Sequence, residues 1–171
     1  KKESGINISS LSDYINKNPE FKRILFNNPS DYAESRLSGI KDKKPTYFIS
    51  LNSLLSSGTV IEVEKDKNIN ESINIIHSFS NIEPEIVINP YIIIVCKEGS
   101  KVSFQEISHN VASWNNTLKE IFIRKDANLT FSSLQERIST GIKTSSINCH
   151  IDENAELNLK VLNRERSKED I

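Results

Sequence analysis

From Tyr47 onward, apolar and polar residues alternate in short runs, β-branched side chains are common, and no helical period persists. Three segments, 92–104, 121–131 and 147–159, align as copies of one unit. Each copy is a short alternating strand, a charged corner, a small residue and a second alternating strand. The corners are Lys97-Glu98-Gly99-Ser100, Arg124-Lys125-Asp126-Ala127 and Asp152-Glu153-Asn154-Ala155, and the small residues Ser100, Ala127 and Ala155 lie 27 and then 28 residues apart. The apolar positions that follow keep one register: Val102 and Phe104, Leu129 and Phe131, Leu157 and Leu159. Ser57-Gly58-Thr59 with Ile61 and Val63 resembles an earlier copy, aligned on Val102 at a separation of 41.

A fixed period of this length, with strands and small-residue corners, predicts a solenoid whose turns bury one another's apolar faces. The fold class expected is therefore mainly β, with parallel sheets. An antiparallel sandwich with similar strand lengths is the alternative. Because successive side chains on a strand face opposite sides, Ile94, Cys96, Ile121, Ile123, Cys149 and Ile151 are expected to point inward. Lys97, Arg124, His150 and Asp152 are expected to point outward.

The first 45 residues read differently. Gly5 to Ser9 alternates as a half-buried strand. Ser10 or Ser12 can cap a helix carrying Leu11, Tyr14 and Ile15. Pro19 fits the first turn of a second helix with Phe21, Ile24 and Leu25 on one face. Pro29 or Ser30 opens a third, and Gly39 follows Leu37 as its C-cap. Residues 41–45 form a charged linker. Two regions follow: 1–45, an entry strand with a helical segment and linker, and 46–171, the repeating β core, incomplete and expected to continue past Ile171.

Composition narrows the classes. The 22 Lys+Arg balance 23 Asp+Glu, a net charge of -1, so charge alone makes no case for nucleic acid. The longest apolar run, Ile92 to Cys96, is far short of a membrane-spanning helix. Two cysteines are too few for a disulfide framework, which points to a reducing compartment. With no methionine in 171 residues, the chain reads as an excised piece of a longer protein.

Candidate chemistry is sparse. Cys96 and Cys149 are the residues able to bind metal or attack sulfur, yet both fall on the inward apolar register, where thiols are inert. His77, His109 and His150 lack a second ligand at zinc spacing, and Cys149 and His150, adjacent on a strand, face opposite ways. Glu62 and Glu64 flank Val63 as a solvated strand face does. All five glycines are isolated, so no phosphate loop is present. Trp114 reads as a contact residue in a polar loop. The charged run 164–170 reads as a solvated turn. No catalytic or metal site assembles from these residues.

The order of features resembles one family. Gly5-Ile6-Asn7-Ile8-Ser9-Ser10-Leu11, followed by Asn18-Pro19-Glu20, is similar to the entry motif of the SufB/SufD family, the paired scaffold subunits of the SUF iron–sulfur cluster assembly system. Phe48-Ile49-Ser50-Leu51-Asn52-Ser53-Leu54-Leu55 with Gly58-Thr59-Val60-Ile61-Glu62-Val63 is similar to its next element. So are Ile73-Asn74-Ile75-Ile76-His77 and Asn89-Pro90-Tyr91-Ile92-Ile93-Ile94-Val95. Glu120-Ile121-Phe122-Ile123, Asp126-Ala127-Asn128-Leu129, Leu134-Gln135 and the terminal Lys168-Glu169-Asp170-Ile171 continue the series.

The resemblance implies a right-handed parallel β-helix and a non-enzymatic role. Partners implied are a SufB-like paralogue and a SufC-like ATPase. Separately, an uncapped solenoid end after Ile171 is expected to present unpaired strand edges, which invite self-association into a homodimer. The location implied is bacterial cytoplasm or organellar stroma. The SufD side is favoured, because Ser108 stands where SufB carries a cysteine. SufD's cluster-site cysteine and histidine, and the SufC-docking region, are implied to lie beyond Ile171. No cofactor is therefore expected in this segment, and only Gln135 carries over, as an interior polar residue. Two other readings compete: a carbohydrate-active lyase or esterase and a secreted adhesin. The first needs a clustered outward face where Lys97, Arg124 and Asp152 are mixed and aromatics make up only 7%.

Overall fold

The computed structural model describes residues 5–19, 21, 58–77, 87–110, 114–137 and 142–165. The third helix, the linker, motif 48–55, most of the second helix and the terminal run 166–171 lie outside the described residues. What is described is mainly β, with one short helix, and builds two sheets. The first contains β1 (Ile6–Ser10), β2 (Thr59–Val63), β4 (Val87–Ile88), β5 (Tyr91–Cys96), β7 (Trp114–Ile123) and β9 (Ile142–Ile151). The second runs β3 (Asn68–His77), β6 (Lys101–Asn110), β8 (Asn128–Arg137), β10 (Glu156–Glu165). Among the described residues, every strand pairing is parallel except β1 with β2.

Parallel neighbours need long crossovers. Here each crossover is itself a strand of the other sheet: the chain passes from β5 to β6, then to β7, β8, β9 and β10, changing sheet each time. Residues one copy apart become register partners. Ile94 pairs with Ile121 and Ile121 with Cys149, while Phe104 pairs with Phe131 and Phe131 with Leu159. The repeat read from sequence is thus the register of the sheets.

The corners show why each carries its residues. Gly99, Asp126 and Asn154 occupy the left-handed region at φ 67, 58 and 56, as does Asp66 at φ 57. Glycine reaches that region freely, and Asp and Asn tolerate it better than other residues. The amides of Ser100, Ala127 and Ala155 close each corner onto the carbonyls of Lys97, Arg124 and Asp152 at 3.0, 3.0 and 3.2 Å. Corners also bond to each other: the Gly99 amide donates to the Lys125 carbonyl at 3.0 Å and that of Asp126 to Glu153 at 3.1 Å. Ser100 and Ala127 are buried beneath, so only a small side chain fits.

At Gly99 an added Cβ would also run into the Asp66 carboxylate. Gly99→Ala is expected to lose about 1–2 kcal/mol, the cost of a left-handed side chain. Asp126→Gly is expected to change stability by less than about 1 kcal/mol. Urea unfolding of the two variants checks both, and equal losses would contradict the corner account.

The earlier copy exists in a different phase. Ile61 and Val63 pair with Ile94 and Cys96, the first strand of the next copy, rather than aligning with Val102. Its corner is Glu64-Lys65-Asp66-Lys67, and Lys65 meets Glu98 at a separation of 33. This turn, 33 residues from Ile61 to Ile94, is longer than the 27 from Ile94 to Ile121, and a register shift between Asn68 and Ser72 absorbs two of the extra residues in β3.

Two apolar clusters hold the sheets. The first lies between them and includes Ile94, Cys96, Phe104, Ile121, Leu129 and Phe131. The inward expectation for Ile94, Cys96, Ile121 and Ile123 agrees with this cluster, and Cys149 packs at its margin. The second lies on the other face of the first sheet. There Leu11 and Tyr14 of α1 (Leu11–Lys17), with Phe21, cover Val60, Ile93, Val95 and Phe122. A strand covered on both faces reads as an unbroken apolar run, which explains Ile92 to Cys96. The helix starts at Ser10, whose Oγ accepts the Asp13 amide at 3.1 Å.

That packing corrects the reading of Glu62 as a solvated carboxylate. Glu62 is buried under α1, where the Tyr14 hydroxyl donates to Oε2 at 2.8 Å and Lys97 Nζ pairs with Oε1 at 2.9 Å. On β9 and β10 the pattern continues with less cover. Ile151 is 51% exposed where its register partner Ile123 is 0%, and Leu159 is 40% exposed where Phe131 is 0%.

Candidate functional site

Away from the corners, the inward positions change from apolar to polar. On β6 the alternation Val102, Phe104 continues into Glu106 and Ser108, and on β8 Leu129, Phe131 continues into Ser133 and Gln135. On β7, Ile123 and Ile121 are followed toward the strand start by Lys119, Thr117 and Asn115. All of these are buried.

Glu106 is the hub. Its Oε1 meets His77 Nε2 at 2.9 Å, and its Oε2 meets Lys119 Nζ at 2.9 Å and accepts the Ser133 hydroxyl at 2.5 Å. The Glu106 and Lys119 side chains are 1% and 2% exposed, so the ion pair is dry. Burial alone would raise the Glu106 carboxyl, but the His77 bond, the Lys119 charge and the Ser133 bond outweigh it and hold the group at about 2. Buried charges persist only when paired and hydrogen-bonded, and this carboxylate has three donors. The pair joins β7 of one sheet to β6 of the other, so it ties the sheets together.

The cluster has parts that a hydrolase would use, but not in a hydrolytic arrangement. Nucleophilic serine needs its proton directed to a competent general base. Here Ser133 donates to Glu106, and a carboxylate held at about 2 is a poor general base at neutral pH.

Of the sequence candidates, His77 joins this cluster and most of the others fall elsewhere. Gln135 lies on β8, buried, between its register partners Ser108 and Asn163. Cys96 is packed between the sheets, where burial pushes its thiol to about 12. Burial also raises Cys149, which is partly exposed. His150 faces the opposite side and stacks on Phe122 with centroids 4.8 Å apart. His77 ends β3 and belongs to the Glu106 cluster. The side chain of His109 lies outside the described residues. Trp114 is corrected from a loop residue to the first residue of β7, where its Nε1 donates to Thr144 Oγ1 at 3.4 Å. Lys97, Arg124 and Asp152 sit at the corners, and Arg124 pairs with Asp152 at 3.5 Å.

Glu106, Lys119 and Ser133 were missed in the sequence, although parity could have found them: Glu106 is two residues beyond Phe104 and Ser133 two beyond Phe131. Among the described residues, no group of three or more His, Cys, Asp or Glu is placed to hold a metal ion. Among them, too, no helix is long and apolar enough to cross a membrane.

The thiol environments make a direct prediction. In native protein at neutral pH, a thiol reagent should modify Cys149 and leave Cys96 untouched until unfolding. Stopped-flow labelling of Cys96→Ser and Cys149→Ser variants distinguishes the two sites. Equal native rates would contradict the packing of Cys96.

These features define a mainly β chain of alternating parallel strands, tied internally by a dry ionic cluster. In comparisons with known proteins, no family model and no curated protein matches it.

Proposed function

We propose that the two sheets are walls of a right-handed parallel β-helix, and that the chain forms early turns of a SufD-like scaffold subunit in SUF iron–sulfur cluster assembly. It works beside a SufB-like paralogue and a SufC-like ATPase, in bacterial cytoplasm or organellar stroma. Its contribution is positional: stacked strands present partner surfaces, while metal and sulfur chemistry takes place elsewhere in the assembly. No catalytic residue and no cofactor are assigned to this segment.

The observation that carries the reading is the return of the chain to the same sheet every 27 or 28 residues, in register, as in Phe104 to Phe131 and Ile121 to Cys149. The ordered series of motifs from Gly5 to Gln135 adds the family. The Glu106 cluster supports a structural role, since its polar groups are spent on one another.

Deleting the parent gene in its own host tests this. Activities of several cluster-dependent enzymes are expected to fall together and to recover with a plasmid-borne copy. Unchanged activities under iron limitation and oxidative stress would contradict the assignment.

A further inference from the structure

The polar interior contains one region whose charges and hydrogen bonds do not close. Asn115 on β7 and Lys143 on β9 are register partners, at neighbouring positions on two parallel strands. Lys143 reaches across the interior to donate to Ser108 Oγ on β6 at 3.2 Å, which places it on the inward face. Asn115 shares that face, because its neighbours Trp114 and Asn116 bond outward along a separate ladder with Thr144.

Asn115 is 1% exposed, and its Oδ1 accepts the Thr117 hydroxyl at 2.8 Å. Among the described residues its Nδ2 has no hydrogen-bond partner. A buried amide donor without an acceptor is rare in folded proteins. Among the described residues Lys143 makes no ion pair; its bond is to a neutral hydroxyl. Glu106, the carboxylate of this interior cluster, is already held by Lys119, Ser133 and His77. Two ammonium groups therefore share one carboxylate. Burial and the nearby Lys119 charge push the Lys143 ammonium down, which outweighs Glu106 acting in the opposite sense.

A water molecule could satisfy the amide but would not offset the second positive charge. We infer that Asn115 and Lys143 form a binding site for a small monovalent anion of halide size. The amide N–H and the ammonium supply charge-assisted donors from adjacent strands. Register partners on parallel strands lie about 4.8 Å apart, so the two donors project side by side from the same face. Lys143 is half-buried, so the site retains a route to solvent. This inference rests on the interior geometry and is independent of the scaffold reading.

Bromide is the probe. Crystals grown in sodium bromide, with data collected at the bromine edge, are expected to show an anomalous peak between Asn115 Nδ2 and Lys143 Nζ. In solution, bromide is expected to raise Tm by about 3 °C over gluconate at equal ionic strength. Lys143→Met should remove that difference. Asn115→Asp should also remove it, by placing a carboxylate beside Lys143, and thus serves as an internal replacement for the ion. Peaks at exposed lysines and none here would mean an adventitious ion only and overturn the site. So would a bromide effect that persists in Lys143→Met, or an Asn115 amide found turned over with Oδ1 accepting from Lys143.

Discussion

Glu106→Ala is expected to cost about 3–5 kcal/mol, because it strands Lys119 as an unpaired charge in a dry interior. The same change leaves the Ser133 hydroxyl and the His77 ring without their shared acceptor. Most of the loss should return in the double variant Glu106→Leu with Lys119→Met, since apolar groups of similar volume can replace a buried pair at little cost. Urea unfolding of the two single variants and the double supplies the coupling energy. A loss below about 1 kcal/mol in Glu106→Ala would contradict the burial of this pair.

The pair also sets a pH dependence. The folded Glu106 carboxyl is held at about 2, below its ordinary 4.5. Its contribution is therefore fully present above the ordinary carboxylate range and is lost as pH falls from there toward about 2. The acid limb of the stability curve should flatten in the double variant Glu106→Leu with Lys119→Met, and an unchanged limb would assign acid sensitivity to other groups.

Glu120 has the opposite sign. It is fully buried in the centre of β7, where burial pushes its carboxyl up to about 8. The unfolded chain gives up this proton near 4.5 while the folded chain keeps it, so the contribution is fully present below 4.5 and is lost as pH rises toward about 8. Glu120→Gln replaces a carboxyl that must remain protonated with a neutral amide of the same shape. At pH 7 it is expected to raise stability by about 2–3 kcal/mol, with no gain at pH 4. Thermal unfolding of wild type and variant at the two pH values checks this. An equal effect at both would mean that Glu120 is not protonated in the fold.

The corners and the register were legible because both rest on local rules. A left-handed position selects Gly99, Asp126 or Asn154, and a strand period of two fixes which residues face inward. The same rule extended one step past Phe104 and Phe131 reaches Glu106 and Ser133. They were overlooked because charged and hydroxyl residues on a strand are ordinarily solvated. Glu62 was misread for a different reason: its cover, α1, lies some fifty residues earlier, and no local pattern records which helix packs on which strand. The first copy was misphased because its turn, Ile61 to Ile94, is 33 residues where the next, Ile94 to Ile121, is 27, and the shift between Asn68 and Ser72 accounts for two of the extra residues. Pairings such as His77 with Glu106 join strands of different copies, so they become visible only once the register is known.

As proposed, this chain works within a scaffold assembled with two partners. Tagged full-length parent protein, expressed with the SufB-like and SufC-like proteins of its own host, should carry both through affinity purification and gel filtration in fixed stoichiometry. A parent protein that elutes without either partner, with all three folded and abundant, would contradict the account and return the lyase and adhesin readings to consideration.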